Sequence, residues 1–233
     1  YHGANVVLRS DDRGESWREI SPDLTRGVPT ELHDLMDRSW SIDEMVTKAS
    51  FAHIVSIAES PLDEKRLYAG SGDGLLHFTH DGGETWARAE LAGLPEFARI
   101  HHIVASPHDV DTAYAACHNF FAGDFAPYLY RTTDGGATWS DISADLPEKR
   151  GSTYTVAIDH PGPNLLFVGT MAGVYVSTSD PFSWVKLEAG IPASVQVTDI
   201  DLQADENDLV VATFGRGVYI LDDYSPLRHL DAE

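Results

Sequence analysis

Cysteine is nearly absent from this 233-residue chain, and the single Cys117 excludes an intramolecular disulfide and any cysteine-based zinc cluster. Lysine is scarce too, at Lys48, Lys65, Lys149 and Lys186, and 16 basic residues face 37 acidic ones for a formal net charge of -21. That deficit argues against nucleic acid and bare anionic membrane as partners, because both bind through Lys and Arg side chains that displace counterions. No apolar run approaches the roughly 18 residues that a spanning helix needs, so direct membrane insertion is not expected. The opening residues, Tyr1 to Asn5, lack the basic and apolar regions of a signal peptide, and there is no starting Met. The expectation is a processed form or a piece of something longer. What remains, 42% hydrophobic and 23% charged residues, is ordinary for a folded domain and enough to bury a core without staples.

What is present is a repeat. Ser10 to Trp17, Thr79 to Trp86 and Thr132 to Trp139 all read Ser/Thr-x-Asp-x-Gly-x-x-Trp, with Asp12, Gly14 and Trp17, then Asp81, Gly83 and Trp86, then Asp134, Gly136 and Trp139. A fourth copy, Thr178 to Trp184, keeps the hydroxyl, Asp180 and Trp184 but has lost one residue and its Gly. Each copy lies between two strand-like stretches, which explains the residue types. The Asp accepts hydrogen bonds from turn amides, the Gly takes a positive φ, and the Trp covers the hairpin. As a metal site one carboxylate is too little, since calcium needs six or more oxygens, so no metal or other cofactor is expected.

A second pattern precedes each turn. Ile54 to Pro61, Ile103 to Pro107, Val156 to Pro161 and Ile200 to Leu202 are each followed by another apolar run, Leu67-Tyr68-Ala69 in the first copy and Leu209 to Ala212 in the last. Pro61, Pro107, Pro161 and Ala204 mark a period of roughly 43 to 54 residues. Each unit therefore reads strand A, strand B, strand C, Asp turn, strand D, the signature of blades in an all-β propeller of four-stranded antiparallel sheets. A parallel β-helix has shorter coils and no hairpins. On this reading residues 1–21 end one blade, opening at a C strand, and 22–50 form a long insertion between blades. Residues 51–90, 99–143 and 153–188 are full blades, 197–223 a partial one, and 225–233 a tail. Strand C is then supplied at both ends, so 1–224 is expected to be part of a larger ring of seven to ten blades.

With these residues assembled, the chain resembles the secreted bacterial sortilin-like, or Asp-box (bacterial neuraminidase repeat), propeller proteins. The stretches that carry the resemblance are Tyr1 to Asn5, Ser10 to Trp17 with Ser21 to Thr25, Glu59-Ser60-Pro61, Gly123 to Tyr128, Pro163 to Thr170 and Glu206 to Gly217. The Asp-box alone is unspecific; the Asn-Asp-Leu-Val and Phe-Gly-Arg-Gly segments narrow the match. The resemblance implies architecture and a secreted, periplasmic or cell-surface bacterial setting. It does not imply an activity, because propellers host enzymes, receptors and scaffolds alike.

In a propeller the D-to-A and B-to-C connections share the channel-mouth face, and the Asp turns fall on the opposite one, so a site belongs away from the boxes. Two connections stand out. Ser21 to Ser50 contains Leu32 to Met36 and Ile42 to Val46, which read as short helical turns with Ser41 as an N-cap. Cys117 to Pro127 sets His118, Asn119 and Asp124 among three phenylalanines, including Phe125, the mixture of aromatic wall and few polar groups expected of a pocket. These residues and Arg216, flanked by Gly215 and Gly217, are the candidate ligand contacts. His101 and His102 are adjacent in one strand and point to opposite faces, so they do not chelate one metal.

Sialidase chemistry would need three arginines converging on the substrate carboxylate plus a Tyr nucleophile with an acidic partner, whereas only Arg216 and one of Arg26 or Arg99 can be placed on the channel face. A glycosidase needs two carboxylates roughly 5 to 10 Å apart, for which Asp73 and Asp124 are the pair to test. The favoured reading is a non-enzymatic module that binds a protein partner, including a missing propeller segment or another subunit, or a glycan or peptide. A glycan-active hydrolase is the alternative.

Overall fold

Each repeat folds into one antiparallel sheet whose strands follow chain order, as expected when every connection is a short turn. The computed structural model describes residues 1–27, 52–188, 190–192 and 194–229; the helical turns expected at Leu32 to Met36 and Ile42 to Val46, with the Ser41 cap, lie outside the described residues. The first sheet holds β1 (His2–Gly3), β2 (Val7–Arg9) and β3 (Arg18–Glu19). Three four-stranded sheets follow: β4 (Ile54–Ser60) to β7 (Ala87–Ala89), β8 (Arg99–Ala105) to β11 (Ser140–Asp141), and β12 (Thr153–Ile158) to β15 (Val185–Lys186). Within them lie β5 (Asp63–Ser71) and β6 (Leu76–Thr79), β9 (Ala113–Asn119) and β10 (Asp124–Thr132), and β13 (Leu166–Thr170) and β14 (Gly173–Ser177). The last sheet has β16 (Val197–Gln203), β17 (Asp208–Thr213) and β18 (Gly217–Leu221).

The innermost strands pack side by side in the order β4, β8, β12, β16, and the sheets stack face to face around them. Four apolar clusters fill the gaps between successive sheets, one of them built from Tyr114, Ala116, Leu129, Val156, Leu166 and Val168. This is part of a β-propeller.

Why neighbouring sheets come so close is written in the strands. Every inner strand carries a bulge at the same point, at Val55, His101, Tyr154 and Thr198, which re-aims the side chains around it. The residue after each bulge pairs with a small one in strand B, in turn Gly70, Ala116, Gly169 and Ala212. A Cβ on Gly70 would come 2.4 Å from Ile100 of the next sheet, and one on Gly169 would come 2.7 Å from Val197. Side chains also cross the joints. Ser56 Oγ accepts from Ile103 N at 2.9 Å, and His102 Nδ1 accepts from Val156 N at 3.3 Å. His80, His108 and His160 donate from Nε2 to Gly135 O, Asp159 O and Leu202 O in the following sheet.

The three full-length Asp turns share one geometry. Ser10 Oγ donates to Asp12 Oδ1 and accepts from Gly14 N, while Ser16 donates to Asp12 from both its amide and its hydroxyl. Thr79, Asp81, Gly83 and Thr85 repeat the pattern, as do Thr132, Asp134, Gly136 and Thr138. Gly14, Gly83 and Gly136 sit at φ 92°, 98° and 103°. The hydroxyl preceding each Trp is thus a second clamp residue, one that the sequence motif leaves unspecified.

Four expectations need correction. Asp180 does not clamp its own turn: its carboxylate pairs with Arg131 Nη1 at 2.7 Å, and Asp145 of the preceding sheet takes the place by accepting from Ser183 Oγ and Trp184 N. The lost residue removes the loop that would wrap the carboxylate. Of the four turn tryptophans, Trp17 and Trp139 fold over their own turns, to Gly14 O and Gly136 O; Trp86 and Trp184 instead reach Ile20 O and Ile142 O of the sheet before. The tail is also anchored. Residues 225–229 form a 3-10 turn whose Arg228 grips the buried Asp159 at 2.7 and 2.9 Å, with Tyr224 OH on the same carboxylate at 2.8 Å. At the other end, β1 adds a strand before the expected C strand.

Candidate functional site: the mouth of the second full sheet

The B-to-C and D-to-A connections do share a face. Gly151 N and Ser152 N, leading into β12, both donate to Phe125 O at 3.0 Å, and Arg26 N donates to Asp73 Oδ2 at 2.9 Å. The Asp turns lie with the A-to-B turns on the other face, where Gly82 N meets Lys65 O and Gly135 N meets Asp111 O.

Asn119, Asp124 and Tyr128 form the polar part of the site. After β9 the chain makes a 3-10 turn at Phe120–Ala122 and reverses at Gly123, φ 76°, a conformation that glycine takes without strain. Asp124 then accepts from Ala126 N at 3.0 Å, Tyr128 OH at 2.7 Å and Asn119 Nδ2 at 3.3 Å. Burial, then the Asp124 carboxylate, raises the Tyr128 phenol, so it stays protonated and donating. Phe125 stands exposed beside this cluster. Sequence reading finds Asn119, Asp124 and Phe125 but misses Tyr128, although the spacing of four along a strand signals a shared face.

His118 does not reach the surface, which corrects its expected role as a ligand contact. It is 1% exposed, its Nε2 lies 3.2 Å from His101 Nδ1, and its ring sits 4.7 Å from Phe120 and 5.0 Å from Tyr154. The cause is the bulge at His101, which turns that ring toward β9 rather than the channel. Burial, then the positive charge its neighbours would place beside it, pushes His118 down to about 2 and His101 down to about 4. Both are neutral at pH 7, one ring donating to the other, and they support the aromatic floor from beneath.

Asp73 is fully buried. Its carboxylate accepts from Ser71 Oγ at 2.5 Å and from Arg26 N, and Arg26 Nε donates to its carbonyl at 2.8 Å. This is a strut that holds the chain leaving β3, and a side chain with no exposed surface does not meet a ligand, so the structure does not offer Asp73 as the partner of Asp124 in acid–base chemistry. Arg26 is committed further, to Glu96 at 3.1 Å and to the face of Phe97 at 4.6 Å. Arg216 is exposed between Gly215, φ 71°, and Gly217, φ 87°, on the B-to-C turn of the last sheet beside exposed Phe214. Among the described residues no group of three His, Cys, Asp or Glu side chains could hold a metal ion, and no helix is long and apolar enough to cross a membrane.

The geometry defines a propeller segment with an aromatic and polar mouth, and similarity to known proteins agrees on the fold. No protein-family profile matches the chain. A xyloglucanase from a Paenibacillus species is 26% identical over 216 residues, 81% of this chain and 19% of that protein. Among solved structures, a Niastella koreensis GH74 enzyme superposes with a TM-score of 0.63 at 16% identity, covering 92% of this chain and 32% of its own. YCF48 from Cyanidioschyzon merolae superposes with a TM-score of 0.52 at 23% identity, covering 74% and 54%. The chain thus spans about a fifth of the xyloglucanase and a third of the GH74 enzyme.

Proposed function

We propose that this chain is the binding segment of an extracytoplasmic Asp-box propeller, and that its channel-mouth face takes a neutral glycan without turning it over. One observation carries the reading: the two carboxylates paired as a candidate acid and base are each held by internal hydrogen bonds, Asp73 out of reach of solvent and Asp124 on Asn119, Tyr128 and Ala126. Exposed Phe125 offers an apolar face for a sugar ring beside amide and carboxylate groups. The net charge of -21 favours an uncharged ligand over an anionic one. The xyloglucanase relative supports a glycan over a peptide.

A second reading has the same relative behind it, namely that a larger propeller containing this segment hydrolyses glycans with carboxylates placed elsewhere in the ring. Its protein partner would then be that remaining propeller segment. Titration of the chain with xyloglucan oligosaccharides, in parallel with a reducing-sugar assay, tests the first reading, whereas the second predicts turnover only from a longer propeller that contains this segment. Binding that Phe125→Ala weakens about tenfold, roughly 1.4 kcal/mol, with no turnover is expected. Turnover abolished by Asp124→Asn with the fold intact would overturn the proposal.

A further inference from the structure

On the opposite face, at the rim where the second full sheet meets the third, lies a cleft of about 370 Å³. Its lining includes Arg131, Ser140 and Asp141 from the β10–β11 hairpin and Asp180, Pro181 and Phe182 from the shortened turn after β14. We infer that this cleft is a second ligand site, one that takes a neutral pyranose ring. The inference stands on the cleft's own geometry and does not depend on what the channel mouth binds.

The shortened turn creates the cleft. Because Asp180 does not fold back on its own hairpin, it reaches across to Arg131, and that pair puts an acceptor and a donor side by side, the complement of two adjacent hydroxyls. Arg131 also stands over the Phe182 ring, 5.6 Å from its centroid, which fixes the ion pair against the apolar wall. Asp141 accepts from Ser143 N on Oδ1 at 2.8 Å, and among the described residues its second oxygen has no hydrogen bond, which leaves it for a hydroxyl. The apolar wall is firm. Phe182 stacks on Trp184 with ring planes 7° apart, and Trp184 is pinned by Ile142 O at 2.8 Å and by Asp145. A site built this way is formed before the ligand arrives, which limits the ordering cost of binding.

Charge narrows the ligand class. Two carboxylates face one guanidinium at the cleft, and the rest of the molecule is acidic, so phosphates and carboxylates are disfavoured. A sugar ring has one C–H face for Phe182 and Pro181 and a rim of hydroxyls that both donate and accept.

The test uses cellotetraose as probe and the Trp184 indole N–H resonance as reporter, because that ring stacks on Phe182, which lines the cleft. Progressive shifts with a dissociation constant of about 1 mM are expected, as for one sugar ring on a small site. Ser140→Arg fills the cleft from an exposed strand position, and it should weaken binding at least about tenfold without moving the melting temperature. Phe125→Ala, on the far face, should leave the Trp184 shifts intact. Absence of shifts up to about 10 mM probe, shifts that persist in Ser140→Arg, or tighter binding of inorganic phosphate than of cellotetraose would each overturn the inference. Loss of glycan binding at the channel mouth with Trp184 shifts retained would instead sink only the proposed function.

Discussion

Mild acid should destabilise this chain through its histidines, and the pair His101 and His118 makes the effect calculable. In the unfolded chain a histidine titrates near pH 6.5, whereas in the folded one His101 is held down to about 4 and His118 to about 2. The folded-state values are depressed for groups that gain a proton, so between pH 6.5 and 5 only the unfolded chain takes protons up and stability falls with pH. Each such histidine costs about 1.4 kcal/mol per pH unit across that window, and integration from pH 8 to 5 gives about 2 kcal/mol apiece. The pair together removes about 4 kcal/mol, a large part of the 5 to 15 kcal/mol typical of a domain. His77 and His102, also lowered by burial, act in the same direction. Carboxylates do not confuse the window, since those of Asp12, Asp81 and Asp134 are lowered by the hydroxyls and amides that hold them and stay ionised above pH 5. Urea unfolding at pH 8, 7, 6 and 5 measures the slope. His118→Phe keeps an aromatic ring in the cluster but removes one titrating site, so its stability relative to wild type should improve by about 2 kcal/mol between pH 8 and 5. An identical difference at both pH values would refute the reasoning, whatever the variant's baseline stability.

Two other perturbations test the joints between sheets. Asp159→Ala strips a fully buried carboxylate from Arg228 and Tyr224; because the Arg228 side chain is partly exposed and can rehydrate, a loss of about 3 kcal/mol is expected in urea unfolding, at the lower end for broken buried pairs. Gly169→Val would place its Cβ 2.6 Å from Thr155 and 2.7 Å from Val197, and a loss of about 1 to 3 kcal/mol in thermal or urea unfolding is expected from overpacking.

The repeat was legible because each sheet is built from local turns, and a turn writes its chemistry into adjacent residues. Ser10, Asp12 and Gly14 bond one another within five positions, and reading them together predicts the hairpin. The joints between sheets were not legible in the same way. His80 and Gly135 are 55 positions apart, and Trp86 bonds Ile20 across 66, so nothing near either residue in sequence distinguishes a link to the next sheet from a surface group. The candidate site failed where bulges intervened. Simple alternation sends one of His101 and His102 to the channel, but the bulge at His101 buries it against His118 instead. Asp73 sits in a turn whose Gly72 and Gly74 are visible in sequence, while the partner that consumes its carboxylate, Arg26, lies 47 residues away in the preceding connection.

The last sheet supports the proposal that this segment belongs to a larger ring, and the argument rests on two pairs of equivalent residues. In the third full sheet Val174 pairs with Gly169 and Val176 with Phe167, while in the last sheet Val218 pairs with Ala212 and Ile220 with Val210, so the positions match one for one. The first two are 0% and 3% exposed, yet Val218 and Ile220 are 63% and 61% exposed. Residue type does not account for the difference, since all four are β-branched and apolar. The cause is the neighbour: β14 has another sheet against it, and β18 has none among the described residues. Covering a Val or Ile side chain is worth about 1.5 to 3 kcal/mol, so a further sheet laid on β18 would gain what Val174 and Val176 already contribute at the joint before it. A face patterned like a buried one, with the same register and a small residue at the same place in strand B, is what a blade inside a ring presents to the next blade.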